Sequence, residues 1–383
     1  MTKISSIVFL FVLVFVSACN TNVEKYTEIQ SEKGKDHILV GVFDGNGAGA
    51  ISVIETIEAL RIDTGIIAFP ISAVDIQKGE LDNINVLIFP GGSGSKELNN
   101  LGQSGKELVI DFVKNQGKGV VGICAGAYLL SSTAGYPSIA MASSIHIDRK
   151  HYNRGRGLVQ FALTDEGMKV FPELKGKSTF VQYYDGPVLS QTDSIESDYN
   201  EIATFVTDIH PDNFAPEGIT PGRTFSLNEK IGKGKLFVFA GHPESTPGMR
   251  WLIPRIVRWV SSNDMISYNQ KWIRPEINIK PILFDKKLRN EEKKLFWKLY
   301  SNNSEDVIAA MNSLNAMRSR PAVRWNIGLL RHNNAEVRSN AARLIGETEY
   351  TYALKDIIQA LKIEQNSDTK KVIQNSIDRL RII

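Results

Sequence analysis

One segment concentrates the features of a nucleophile: Gly122-Ile123-Cys124-Ala125-Gly126-Ala127-Tyr128. Gly119 to Ile123 (GVVGI) is a short apolar strand pattern, and Cys124 stands at its end. A nucleophile at a strand-to-helix junction needs a tight turn, and Gly122 and Gly126 remove the Cβ clashes that would prevent one. A helix beginning at Ala125 points its N-terminal dipole at the sulfur and favours thiolate, drawing a thiol from about 8.5 toward 7 or below. The same residues also suit a buried, inert Cys in a packed turn. A second segment bears on that choice. His242-Pro243-Glu244 follows the apolar run Gly234 to Ala240. Spaced by two, His242 and Glu244 project to the same side of an extended chain. A His beside a thiol acts as base, and a carboxylate behind it holds the imidazole tautomer. A capping or loop histidine is the plainer alternative.

The elements that must position these groups read as an alternation. His37 to Phe43 is a buried-strand pattern, followed by a Gly-rich turn and a helical stretch to Leu60. Gly65 to Phe69 and Val86 to Phe89 read as strands, and Lys106 to Asn115 as an amphipathic helix. Strands alternating with helices predict a doubly wound parallel sheet. From Ile139 to Ser226 the pattern is more strand-like and broken, with a surface loop between Pro211 and Gly222. Gly248 to Ser261 reads as a helix with Trp251 and Trp259 on its buried side.

With the segments in place, a resemblance becomes specific. G-x-C-A-G followed much later by H-P-E resembles the class I glutamine amidotransferase pattern, onto which Cys124, His242 and Glu244 match position by position as nucleophile, base and orienting carboxylate. Pro90-Gly91-Gly92 sits where that family places an oxyanion loop after the third strand. The resemblance therefore implies oxyanion donors from Ala125 and from Gly91 or Gly92, each such donor worth about 10²–10³ in rate. A narrower resemblance is to the N-terminal domain of biotin-protein ligases and its bacterial relatives. It rests on the Cys124 segment, Tyr183-Tyr184-Asp185-Gly186-Pro187, and Gly232-Lys233-Gly234-Lys235 before His242-Pro243-Glu244. It covers about His37 to Ser261 and leaves out the biotinylating domain. The implied fold class is α/β, a flavodoxin-like doubly wound parallel sheet, with a smaller all-α domain after it.

The chain ends invite separate readings. Lys3, the apolar run Ile7 to Val16 and the small residues Ser17 and Ala18 form a signal-peptide pattern too short for a membrane span. Val16-Ser17-Ala18-Cys19 resembles a bacterial lipobox, which implies lipidation at Cys19 and a membrane-anchored lipoprotein of the bacterial envelope, periplasmic or surface-facing. An ordinary signal peptide cut nearby is the alternative. The chain has only two cysteines, so a lipidated Cys19 leaves Cys124 without a disulfide partner. The expected organisation is a signal peptide over 1–18, a polar tether over 19–36, the amidotransferase-like domain over 37–270 and a helical domain over 286–383. Within the last, Glu336 to Glu347 resembles a HEAT-type repeat helix. Val323 to Ile327 and Lys371 to Ile373 look like weaker copies.

Composition and the remaining motifs exclude more than they add. A net charge of +3 gives no reason to expect nucleic-acid binding. Gly45 to Ala50 fits a loose dinucleotide fingerprint, but the second strand ends Ala68-Phe69-Pro70 without the required carboxylate, so a loop lining the Cys124 pocket is expected instead. Asp44 ends the first strand, where it either approaches the thiol or forms the turn. His146, Asp148 and His151 match no zinc spacing and read as surface residues, His210 as isolated, and Arg154-Gly155-Arg156-Gly157 as a surface turn. Trp297 and Trp325 read as solenoid core rather than partner groove. Neither cofactor nor metal is expected. The leading expectation is an exported thiol hydrolase acting on a small amide-type substrate through Cys124, His242 and Glu244. The alternative is a non-catalytic ligand-binding or scaffolding lipoprotein whose helical tail docks a protein partner.

Overall fold

A computed structural model describes residues 37–191 and 199–381 of the chain. The segments read as signal peptide, lipidated Cys19 and tether lie outside the described residues. In chain order the elements are β1 (Ile38–Phe43), α1 (Ala50–Leu60), β2 (Ile66–Ile71), α2 (Ala73–Gln77), β3 (Val86–Phe89), α3 (Gly94–Lys114), β4 (Gly119–Ile123) and α4 (Ala125–Leu130). Then follow β5 (Ile145–His146), β6 (Arg156–Leu163), α5 (Asp165–Val170), β7 (Thr179–Tyr184), β8 (Leu189–Ser190), β9 (Asn200–Phe205), β10 (Thr224–Ile231), β11 (Gly234–Phe239) and α6 (Leu252–Val260). The short β12 (Ile282–Leu283) leads into a helical region, α7 (Lys286–Lys298), α8 (Ser304–Ala316), α9 (Ala322–Leu329), α10 (Ala335–Glu347), α11 (Leu354–Ile363) and α12 (Ser367–Leu380).

The apolar runs become strands because they are buried on both faces. β1, β3 and β4 contain no exposed residue, as a sheet covered by helices on either side requires. The sheet is mixed rather than all parallel. Its order is β12-β6-β9-β10-β11-β4-β3-β1-β2. β1, β3, β4 and β11 run parallel to their neighbours in that group, whereas β6, β7, β9, β10 and β12 extend it by antiparallel pairing. The hairpin β10–β11 makes the change of direction: its strands are joined by Gly232, at a φ of 60° that an L side chain rarely adopts. This is the broken, strand-rich stretch of the sequence.

Other departures have local causes. The helix expected from Lys106 starts at Gly94 and is interrupted at Gly102, whose φ of 70° is non-helical. Its polar first half hides the helix because only Glu97 and Leu101 turn inward along with Gly94. On α6, Trp251 is fully buried, but Trp259 is only partly covered and lies under Lys235. In the helical region, Leu295, Val307, Met311, Val337, Leu344, Ile345, Ile357 and Ile377 make the core. Trp297 is 77% exposed and Trp325 39%, which corrects their reading as core; they make tilted and edge-on ring contacts with Tyr300 and Phe296. The helical region and the α/β core fall in one compact unit.

Candidate active site

Parallel register brings the distant segments together. In β4–β11, Ile123 pairs with Phe239, so Cys124 follows directly on one strand and His242 lies three residues beyond the other. The Cys124 amide donates to Phe239 O at 2.8 Å, which ties the two strand ends. On the other flank of β4, Phe89 pairs with Gly122, so Pro90-Gly91-Gly92 also leaves the sheet beside Cys124. Three carboxyl-terminal strand ends thus meet, the place where open α/β sheets bind ligands.

Cys124 has φ 51° and ψ −97°, a conformation that costs a non-glycine residue of order 1–3 kcal/mol. It is held there because its neighbours cannot carry side chains. A Cβ on Gly122 would lie 2.6 Å from Gly126 C and O, and one on Gly126 would lie 2.1 Å from Phe89 O. The sulfur is buried, and the thiol is directed at Tyr184 O, 3.4 Å away.

His242 is fixed from three sides. Its amide donates to Gln182 O at 2.7 Å, and its carbonyl accepts from Thr246 Oγ1 at 2.8 Å. Its ring lies against Gly91, where a Cβ would approach His242 Cε1 to 2.5 Å. Nδ1 meets Glu244 Oε1 at 2.7 Å, both groups buried. The contact forms through a 3₁₀ turn over Pro243–Ser245 and not the extended geometry expected of the segment. Nε2 is buried, and among the described residues no hydrogen bond satisfies it in the resting geometry. Its electrostatic neighbour is the Cys124 sulfur. Burial opposes protonation of His242, but Cys124 and then Glu244 outweigh it and raise the imidazole to about 9.

These groups open onto a cavity of about 900 Å³. Gly91, Gly92 and Ala125, the expected oxyanion donors, line it beside Cys124. So does Gly49 from the Gly-rich turn, as expected of that loop, and Ser52 from the first turn of α1. Asp44 is exposed, and its amide donates to Ile71 O at the end of β2. Its carboxyl is raised by burial and by Asp75.

Several site residues were not legible in the sequence. His146 is buried rather than on the surface; its Nδ1 lies 2.7 Å from Thr133 Oγ1 and its ring packs edge-on against Tyr128 and Tyr136. Burial, with Arg149 next, lowers it to about 4, so it is a neutral part of the cavity wall. The expected surface turn at Arg154 is likewise interior: Arg154 is buried against Asp148 at 3.2 Å, and Arg156 on β6 faces the cavity. Asp148 takes His151 at 2.7 Å, so His146, Asp148 and His151 do not converge. Among the described residues, Asp208, His210 and Glu217 are the group whose donor atoms lie within 4.8 Å of one another; His210, expected to stand alone, belongs to it. The least expected lining residue is Arg320 from the helical region. Arg318-Ser319-Arg320-Pro321 breaks the helix pattern between α8 and α9, and that interruption was the one available signal.

A family model described as "Biotin-protein ligase, N terminal" matches residues 38–253, more than half of the chain. The chain belongs to this family. The family's span ends within α6, so the helical region that supplies Arg320 lies beyond it. No curated protein matches in sequence. Among solved structures, a β-galactosidase from Bacillus circulans sp. alkalophilus is 14% identical, with a TM-score of 0.37 over 60% of this chain and 32% of its own. A cytoplasmic protein from Salmonella typhimurium is 15% identical, with a TM-score of 0.36 over 61% of this chain and 100% of its own. This chain thus spans about a third of the β-galactosidase that it matches.

Proposed function

We propose that this member of the family is a cysteine-dependent hydrolase of a small amide-type substrate. The observation that carries the reading is the convergence of a strained Cys124, an imidazole raised by its sulfur, and Glu244 on the far ring nitrogen. Cys124 sulfur attacks the carbonyl carbon while the proton resides on His242 Nε2. The tetrahedral oxyanion is held by the N–H groups of Ala125 and the Gly91–Gly92 loop. Collapse breaks the C–N bond, and His242 gives its proton to the leaving amine. Water, deprotonated by His242, then cleaves the thioester and returns the thiol. Arg149 and Arg156 line the cavity against one carboxylate, Asp185, a balance that favours a substrate carrying negative charge.

The finer fold reading belongs with this proposal. The order β2-β1-β3-β4-β11 supports a flavodoxin-like, amidotransferase-like core, and the stacked helices of 286–383 support HEAT-like repeats. The N-terminal pattern supports export and lipidation at Cys19, with envelope localisation following from it. The test of catalysis is turnover of a panel of small amides, with and without a carboxylate, by the parent and by Cys124→Ala. Loss in the variant supports the hydrolase; equal turnover overturns it. The exposed aromatics Trp297, Tyr300 and Trp325 favour the second reading, a scaffold whose tail docks a protein partner. Iodoacetamide reacting with Cys124 no faster than with a free thiol at neutral pH favours that scaffold.

A further inference from the structure

The helical region reaches into the catalytic centre at one point. Arg318 ends α8 in a left-handed conformation, φ 57°, and turns the chain back onto the α/β core. Its carbonyl accepts from Gln182 Nε2 at 2.8 Å, the same Gln182 whose own carbonyl holds the His242 amide. Arg318 itself donates to Ile277 O at 2.8 Å. Two residues on, Arg320 precedes Pro321, and its side chain lies against the α/β core. The guanidinium is 12% exposed. It bonds Glu55 Oε2 through Nε at 3.1 Å and Nη2 at 2.6 Å, and Nη2 also lies 3.2 Å from Ser52 Oγ and 3.7 Å from Glu244 Oε1.

Glu55 and Glu244 are neighbours as well. Ser245 Oγ donates to Glu55 Oε2 at 2.6 Å and stands 3.5 Å from Glu244 Oε1. Two buried carboxylates at such range do not both stay ionised unless a cation is shared between them. If one takes up a proton, Glu244 is drawn toward Glu55 as a hydrogen-bond partner and away from His242.

We infer that Arg320, delivered by the helical region, is a positioning residue for the triad: paired with Glu55 and 3.7 Å from Glu244 Oε1, it is the cation shared by the two acids and holds Glu244 as the acceptor for His242 Nδ1. This rests on the hydrolase reading for its purpose, but the geometry extends that reading to a region the family model does not cover. The other groups facing the pair are Arg250 from the turn before α6, Tyr350 from the turn after α10, and Tyr184 from β7. Glu55 is buried, which alone raises a carboxyl, yet Arg320, then Arg250 and Ser245, leave it lowered. Tyr184 sits under the Arg320 guanidinium at 5.5 Å and edge-on to His242, and burial pushes its hydroxyl to about 12, so it remains neutral.

The experiment is the rate of Cys124 alkylation by iodoacetamide against pH, read on the Cys124 peptide. It compares the full chain with Arg320→Ala, Arg320→Lys and the double variant Arg320→Ala/Glu55→Gln, each checked for cooperative unfolding. The parent gives a flat rate from about pH 6 to 8. Arg320→Ala slows about tenfold at the acid end and gains a new titration step in that window. Arg320→Lys retains most of the rate. Removing the second carboxylate in the double variant removes the need for the cation and restores the rate to within about threefold. A purely structural contact gives a slow variant that Glu55→Gln does not rescue, and that result overturns the inference, as does an Arg320→Ala profile identical to the parent's. Should parent Cys124 react no faster than a free thiol, the hydrolase reading fails by itself. The His242 ring titration by NMR then decides this inference independently: it falls in Arg320→Ala as Glu244 is lost as acceptor and returns in the double variant, whereas no movement, or the rise that removal of Arg320's repulsion alone would give, overturns it.

Discussion

Glu55 on α1 and Glu97 on α3 are sealed from water to a similar degree and end in opposite electrostatic states. Glu55 is 4% exposed and Glu97 0%. Glu55 meets Arg320, Arg250 and Ser245 and is held below its ordinary value. Among the described residues neither oxygen of Glu97 has a hydrogen-bond partner, and burial pushes that carboxyl up to about 8. Burial thus sets the size of the penalty, and the partner decides whether the charge survives. For Glu55 the partner comes from 265 residues further along the chain. The lowered Glu55 beside the triad is therefore a property of two regions of the chain together, whereas the neutral Glu97 is a property of the α/β core alone.

The sharpest way to break this contrast is at Glu244. Glu244→Gln preserves shape and burial but removes the charge that fixes the His242 tautomer. By analogy with triads in general, amide turnover should fall by about 10³–10⁴ with folding intact. A loss below tenfold means that the imidazole is oriented by Gln182, Thr246 and Gly91 without help from the carboxylate.

Glu97→Gln should do the opposite of damage. The folded carboxyl sits near 8 against 4.5 for the ordinary group. Because the folded value is raised, the protein is most stable below about pH 4.5 as far as this group goes, and it loses that stability as pH climbs to about 8. The full difference corresponds to roughly 4–5 kcal/mol. Glu97→Gln removes that slope, so denaturant unfolding at about pH 5 and 9 should show a variant that gains on the parent with rising pH. Alkylation of Cys124 should be unchanged. A constant difference across pH shows Glu97 to be ionised and paired in solution.

The same contrast explains what could be read from the sequence. The strands β3 and β4, the Cys124 turn and the His242-Pro243-Glu244 segment were legible because local chemistry dictates them. Apolar runs buried on both faces and glycines without room for a Cβ leave short-range signatures. The antiparallel half of the sheet was legible only as broken strand pattern, since which strand pairs with which depends on register between distant segments. His146 and Arg154 looked like surface residues because a buried polar side chain differs from an exposed one only in the partners it finds, here Thr133 and Asp148. Arg320 was invisible for the same reason at longer range. Trp297 and Trp325 erred the other way, apolar by type and exposed in fact.

The smallest expected effect tests the contrast most directly. Glu55→Gln on its own leaves Arg320 facing Glu244 alone, so the triad keeps both its acceptor and a cation, and Cys124 alkylation should stay within about threefold of the parent. Stability should fall by about 1–3 kcal/mol at neutral pH, since the variant gives up charge-assisted bonds from Arg320 and Ser245. The sign with pH follows from the lowered folded value. A depressed carboxyl contributes stability that is present above its unfolded value of 4.5 and is lost as pH falls through the folded value. The deficit of Glu55→Gln should therefore be largest near neutrality and shrink on acidification, while the advantage of Glu97→Gln shrinks toward acid from the other side. In one the native glutamate helps more as pH rises, in the other it harms more. An unfolding series of Glu55→Gln from about pH 3 to 7 and one of Glu97→Gln from about pH 5 to 9 that drift in the same direction would show that the two acids share one state, and the role given to Arg320 would lose its electrostatic basis.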